Sequence, residues 1–253
     1  MKKINFVFQR NEKKYLLSPQ QYRALQEELS RWVCPDQYGK TAICSQYYDT
    51  PDLDLIRASV LRPVFKEKLR LRSYGVPTED TTVYLELKRK LSGVVYKRRA
   101  GLPLAEARQF LHSGQNPHPE NRILEEIAYF LQQHTGIAPS YFIGCERLSY
   151  RGIGEEDLRI TFDSELCYRT SSTDLSYGEG GRFLLRPGWV LMEIKVAGPY
   201  PLYLSELLAR LKIYPVSFSK YGRAYLRELA ESRQLELPLH PGELPLRQNS
   251  MIS

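Results

Sequence analysis

The stretch Lys66-Glu67-Lys68-Leu69-Arg70-Leu71-Arg72 limits what this chain can become more than any other. In an extended strand, successive side chains point to opposite faces. Lys66, Lys68, Arg70 and Arg72 then share one face, while Glu67, Leu69 and Leu71 share the other. A row of cations with no acid among them repels itself, and becomes favourable only when an anion lies on it. Tyr84-Leu85-Glu86-Leu87-Lys88 repeats the alternation, with Tyr84, Glu86 and Lys88 opposite Leu85 and Leu87. Leu158 to Asp163 and Leu191 to Val196 repeat it again, the last setting Glu193 and Lys195 against Met192, Ile194 and Val196.

Two architectures share this pattern. In one, an ordinary antiparallel sheet turns its charged face to water. In the other, the apolar faces lie outward under helices and the charged faces line a closed antiparallel β-barrel. Its interior is then a basic tunnel for a polyanion, with a few carboxylates for a metal. Recurrence over several strands is what supports the second.

Strand and helix signals alternate in blocks, which indicates an α+β chain rather than βαβ units. Residues 9–17 read as a first strand. Ser18-Pro19-Gln20-Gln21 reads as a capped helix start carrying Tyr22, Leu25, Leu29 and Trp32, and Ile43–Asp49 as a second strand. A helical turn is expected over Leu53–Ala58. Strands follow on either side of a loop at 75–80, and Val94–Arg99 returns after a turn at Leu91-Ser92-Gly93. Helices are predicted over Pro103–His112 and Glu120–His134, strands over 141–151, 158–165 and 189–196, and helices over 203–211 and about 223–233. Residues 171–188 read as a long loop with a short hairpin. Residues 1–233 form one domain on this reading, and 234–253 a polar tail.

The net charge of +7 points to an anionic partner. No stretch approaches the roughly 20 apolar residues of a membrane span, and Met1–Phe8 is too short and polar for a signal peptide, so a cytoplasmic protein is expected. Cys34, Cys44, Cys145 and Cys167 lack metal-site spacing and read as reduced thiols. Neither they nor the four histidines suggest a nucleophile–base pair. There is no glycine-rich phosphate loop, so phosphates would be held by side chains. Candidate anion ligands are Lys14, Lys68, Arg70, Arg72, Lys88, Lys97, Arg99, Arg147, Arg159, Lys195 and Lys220, with Tyr48 as an aromatic contact. Candidate metal carboxylates are Glu12, Glu86 and Glu193. Arginine forks match phosphate oxygens, and a hard divalent cation needs one or two carboxylates beside them. The cationic strand 66–72 carries no interleaved aromatics, which argues against nucleic acid.

Five motifs in register carry a family resemblance: Tyr47-Tyr48-Asp49-Thr50-Pro51-Asp52, Lys68 to Gly75, Leu85 to Lys90, Met192-Glu193-Ile194-Lys195 and Phe218-Ser219-Lys220-Tyr221. Together, over roughly residues 7–230, they resemble the polyphosphate polymerase domain of the vacuolar transporter chaperone complex, a triphosphate tunnel metalloenzyme. The resemblance implies a cation-lined tunnel and synthesis of inorganic polyphosphate from the γ-phosphate of ATP with Mn2+ or Mg2+. It implies that Lys14, Arg70, Arg72, Lys88, Arg159, Lys195 and Lys220 hold the phosphates and Glu193 the metal, with Glu12 or Glu86 assisting. A membrane-protein partner is compatible with it, although the chain has no span of its own. Two rivals remain: a triphosphatase of the same fold, and a non-catalytic polyphosphate-binding module.

Overall fold

The computed structural model describes residues 11–234 apart from 62, 63, 93 and 179. The proposed tail from 235 onward, the segment 1–10, Arg62-Pro63 and the Gly93 position of the expected turn lie outside the described residues.

Ten strands form one antiparallel sheet among the described residues: β1 (Asn11–Leu17), β2 (Val33–Asp49), β3 (Phe65–Tyr74), β4 (Thr82–Leu91), β5 (Val94–Pro103), β6 (Ala138–Gly152), β7 (Arg159–Arg169), β8 (Arg182–Phe183), β9 (Val190–Val196) and β10 (Pro215–Val216). Their order is β10-β1-β9-β7-β6-β2-β3-β4-β5, with β8 on β7. Among the described residues the ladder of hydrogen bonds does not join β5 back to β1, so it does not close the expected barrel. The sheet nevertheless curls strongly. Lys88 on β4 interacts electrostatically with Glu12 and Lys14 on β1, although five strands separate β1 and β4 in the ladder.

Among the described residues, six α-helices accompany the sheet: α1 (Pro19–Leu29), α2 (Asp54–Leu61), α3 (Leu104–Ser113), α4 (Arg122–Gln133), α5 (Leu202–Arg210) and α6 (Lys220–Ser232). Ser18 and Gln21 form the anticipated capping box of α1. The outward apolar residues of β3, β4 and β5, including Leu69, Leu71, Leu85 and Leu87, pack under Ala107 and Phe110 of α3 and Leu124 and Ile127 of α4. Tyr15, Leu17, Ile160, Met192 and Ile194 on β1, β7 and β9 pack under Leu25 and Leu29 of α1 and Leu204 and Leu207 of α5. These four helices cover the convex side, the placement expected for the helices after Pro103 and Glu120.

The remaining two do not. Ile56 of α2 and Tyr221 and Ala224 of α6 join Leu16, Tyr47, Tyr141, Ile143 and Leu191, which share the concave face with the charged rows. The reason is chemical: toward one end of that face the strand residues turn from charged to apolar, and burial of that patch draws two helices inward. β2 also starts earlier than its clear alternation, at Val33, with a register shift between Pro35 and Lys40 against β6.

Candidate active site

One wall of the concave face comes from β3, β4 and β5. Ladder register sets Lys68, Lys88 and Lys97 side by side, then Arg70, Glu86 and Arg99. Glu86, only 1% exposed, lies at the centre. Its Oε2 accepts from Arg70 Nε at 2.7 Å and lies 2.5 Å from Arg70 Nη2, while its Oε1 lies 2.8 Å from Lys97 Nζ and 3.5 Å from Arg99 Nε. Arg72 Nη1 is 4.0 Å from Glu86 Oε2, and Arg72 Nε donates to Ser45. Burial raises the Glu86 pKa, but Arg70, Arg72 and Lys97 outweigh it and hold the carboxyl well below its ordinary range. The acid thus lets several cations converge without mutual repulsion prevailing.

The opposite wall comes from β1, β9 and β7. Register aligns Glu12, Lys195 and Arg159, then Lys14, Glu193 and Thr161. Contacts here are looser. Lys14 Nζ lies 3.4 Å from Glu193 and 3.9 Å from Glu12; Lys195 Nζ lies 3.5 Å from Glu193 and 3.8 Å from Glu12. Burial opposes ionisation of Glu193, yet Lys14, Lys220 and Lys195 lower its pKa well below the usual value.

The N-terminal turn of α6 floors the space between the walls. Asp163, fully buried, accepts two hydrogen bonds from Arg147 at 2.6 and 2.7 Å and a third from Lys220. The neighbouring Tyr221 donates to Asp49 at 2.7 Å and stacks on Tyr47 at 4.5 Å between centroids. Two lysines of the concave face reach the preceding segment: Lys14 donates to the Phe218 carbonyl and Lys68 to the Ser219 hydroxyl. Tyr47 accepts from Arg70 Nη1 at 2.9 Å. Burial raises the Tyr47 pKa, but Arg70, Lys68 and Arg72 more than offset this and bring it to about 8. Desolvation, with Lys88, Lys66 and Lys14 nearby, lowers the Lys68 ammonium to about 8 against the opposing influence of Tyr47.

The structure therefore gathers Lys14, Lys68, Arg70, Arg72, Lys88, Lys97, Arg99, Arg147, Lys195 and Lys220 around one space, with Glu12, Glu86 and Glu193 among them. Arg159 belongs to the same face by register with Lys195, and its side chain is exposed. Tyr48 is not brought there: it is buried among Leu69, Leu87 and Phe130 on the convex side, and its hydroxyl donates to Gln46. Its neighbour Tyr47 holds the concave position. Strand alternation alone does not mark Asp163 or Asp49 as site residues. Asp163 shares its strand face with Arg159, but only the β6–β7 register reveals Arg147 opposite it.

No group of three or more His, Cys, Asp or Glu side chains that could cage a metal occurs among the described residues. Glu12 and Glu193 still fit a shared-ligand cation. Both carboxylates converge on the same two ammonium groups, so positive charge already sits between them, and a hard divalent ion completes its shell with phosphate oxygens and water. Glu86 differs, being surrounded by its own arginines and lysine.

The VTC domain model matches residues 9–228. The chain belongs to the VTC domain family. Its fold is also shared with solved structures of low sequence identity. A candidate adenylyl cyclase from Hippeastrum, described with a dominant triphosphatase activity, is 18% identical, with 91% of this chain and 98% of that one covered and a TM-score of 0.55. A candidate adenylate cyclase from Bacillus halodurans is 16% identical, with 82% and 92% covered and a TM-score of 0.52. No curated protein sequence matches the chain. Among the described residues, no helix is long and apolar enough to cross a membrane.

Proposed function

We propose that this VTC domain is a metal-dependent phosphotransferase that extends inorganic polyphosphate from the γ-phosphate of ATP. The observation that carries the reading is the convergence of cations from β1, β3, β4, β5, β6, β9 and α6 on one space that also holds the Glu12–Glu193 pair. Such a space suits a polyanion such as a chain of phosphates. On this reading the curled sheet is a tunnel, closed by side chains rather than by ladder hydrogen bonds, and residues 1–233 act as one domain.

Phosphoryl transfer needs alignment and charge neutralisation more than a protein nucleophile. A terminal oxygen of the polyphosphate chain attacks the γ-phosphorus of ATP. The bond from that phosphorus to the β,γ-bridging oxygen breaks, and ADP departs with the electron pair. Arg70, Arg72, Lys88 and Lys195 stabilise charge on the transferring group. Lys14, Lys68, Lys97, Arg99, Arg147, Arg159 and Lys220 hold the flanking phosphates in line. Mn2+ or Mg2+, held by Glu193 and Glu12, would supply further neutralisation of the phosphate oxygens. Glu86 keeps the arginines of the opposite wall in place.

Hydrolysis of a triphosphate is the second reading. The α6 turn that floors the space favours it, because a bore filled at one end leaves less room for a long product. Incubation of the full chain with ATP and Mn2+, followed by sizing of the product on a gel, separates the two. Long chains support the polymerase; orthophosphate alone replaces it with the triphosphatase.

A further inference from the structure

Beyond Arg72, the rows lining the concave face cease to be purely cationic. Tyr84 lies between Arg72 and Gly101 in the ladder. Tyr74 follows Arg72 on the same face of β3, roughly 7 Å along the strand at about 3.3 Å per residue. The Arg99 guanidinium carbon lies 3.6 Å from the Tyr84 ring centroid and 5.4 Å from that of Tyr74. Its Nη2 donates to the Tyr74 hydroxyl at 2.9 Å. The two rings meet edge to face, 5.7 Å apart at 76°. Gly101 leaves room for this arrangement: a Cβ there would come within 3.3 Å of Tyr84 Cε1 and of Thr82 Cγ2. Arg99 also joins the cluster to the phosphate space, since its Nε faces Glu86 Oε1 at 3.5 Å and makes no hydrogen bond. Tyr74 remains 46% exposed.

A phosphate chain has no use for an exposed aromatic face. A nucleobase does, and it stacks on tyrosine rings and on guanidinium planes alike. We propose that Tyr74, Tyr84 and Arg99 form a nucleobase platform at this end of the bore, so that the site selects a nucleoside triphosphate over bare inorganic triphosphate as phosphoryl donor. The inference rests on the reading of the bore as a triphosphate site. Arg99 serves both parts: its Nε side faces the carboxylate that organises the cations, and its plane stacks in the platform.

Calorimetric titration of the full chain with ATP, and separately with inorganic tripolyphosphate, tests the platform. The wild-type chain prefers ATP, and Tyr74→Ala lowers the ratio of ATP to tripolyphosphate affinity about tenfold, the scale of one stacked base. Tyr74→Phe keeps the ring and holds that ratio within about twofold of wild type. An unchanged ratio in Tyr74→Ala means that the tyrosine only steadies Arg99, and overturns the proposal. So does a wild-type chain that binds both ligands equally, or a ratio that falls as far in Tyr74→Phe as in Tyr74→Ala. If the wild-type chain binds neither ligand, the triphosphate reading fails and the platform fails with it.

Discussion

The two walls of the concave face hold their carboxylates in opposite ways. Glu86 is 1% exposed and gripped at 2.5 to 2.8 Å by Arg70 and Lys97. Glu12 has a side chain 38% exposed and meets lysines only at 3.8 to 3.9 Å, and Glu193 meets the same two at 3.4 to 3.5 Å. The difference teaches a division of labour. A tight, desolvated cluster fixes geometry before any ligand arrives. Loose pairings between compact ammonium groups and two acids can be exchanged for a metal and phosphate oxygens at small cost. On the proposed function, the first wall stays in place and the second rearranges.

The sharpest way to break this comparison is to neutralise the buried acid. Glu86→Gln leaves Arg70, Arg72, Lys97 and Arg99 facing one another without a counter-charge. Removal of one partner from a buried ionic cluster costs about 3 kcal/mol or more. For a chain of this size that corresponds to a fall in Tm of roughly 6–12 °C, measurable by thermal unfolding without ligand. Tripolyphosphate should restore much of the stability by supplying the missing anion. A Tm that stays within about 1 °C of wild type would show that the cluster adjusts freely and is not preassembled.

Glu193→Gln probes the other wall and should behave in the reverse manner. Stability falls less than in Glu86→Gln, because the ion pairs of the buried Glu193 with Lys14 and Lys195 are long, at 3.4 and 3.5 Å, and a glutamine leaves no cluster of arginines unopposed. Turnover of ATP with Mn2+ falls by about 100-fold or more, the scale of about 3 kcal/mol of transition-state stabilisation. Tripolyphosphate affinity without metal holds or rises, since one repelling charge is gone. Equal turnover in the variant and the wild type would remove Glu193 from the metal site and leave the loose wall without its assigned role.

Much of this contrast was legible in the chain, and its limits were physical. Alternation placed Arg70, Glu86 and Lys88 on one face and Leu69, Leu85 and Leu87 on the other, because strand parity is local. Ser18-Pro19-Gln20-Gln21 announced α1 for the same reason, the cap being a contact between near neighbours. What parity cannot supply is the partner across the sheet. The bidentate pair of Arg147 with Asp163 depends on β6 lying beside β7, and the chain does not state its strand order. Tyr47 and Tyr48 show a second limit. Both fit a strand, the β2–β6 register shifts between them, and only the packed structure assigns Tyr47 to the concave face and Tyr48 to the convex core. The inward placement of α6 is the third: its amphipathic pattern requires burial of one face, but does not say which side of the sheet receives it.

The mildest test uses pH, and it bears on the seam where the tight wall meets the floor. Lys68 and Tyr47 are both lowered to about 8 in the ligand-free protein, Lys68 chiefly by desolvation, and Tyr47 by Arg70, Lys68 and Arg72 acting against its burial. A bound polyphosphate raises both, because each group then favours its protonated form beside the new negative charge. Below about pH 8 both groups are already protonated, so neither adds pH dependence to tripolyphosphate binding there. Above it, binding must take up protons, and affinity falls with rising pH by up to about tenfold per pH unit for each group. Tyr47→Phe removes one of the two titrations and should make that fall shallower, while leaving the affinity below pH 8 within about threefold, because the ring that stacks on Tyr221 stays. Isothermal titrations between pH 7 and 10 in buffers of different ionisation enthalpy count the protons directly. An affinity that stays level across that range would place neither group beside the phosphates, and would confine the polyanion to the loose wall.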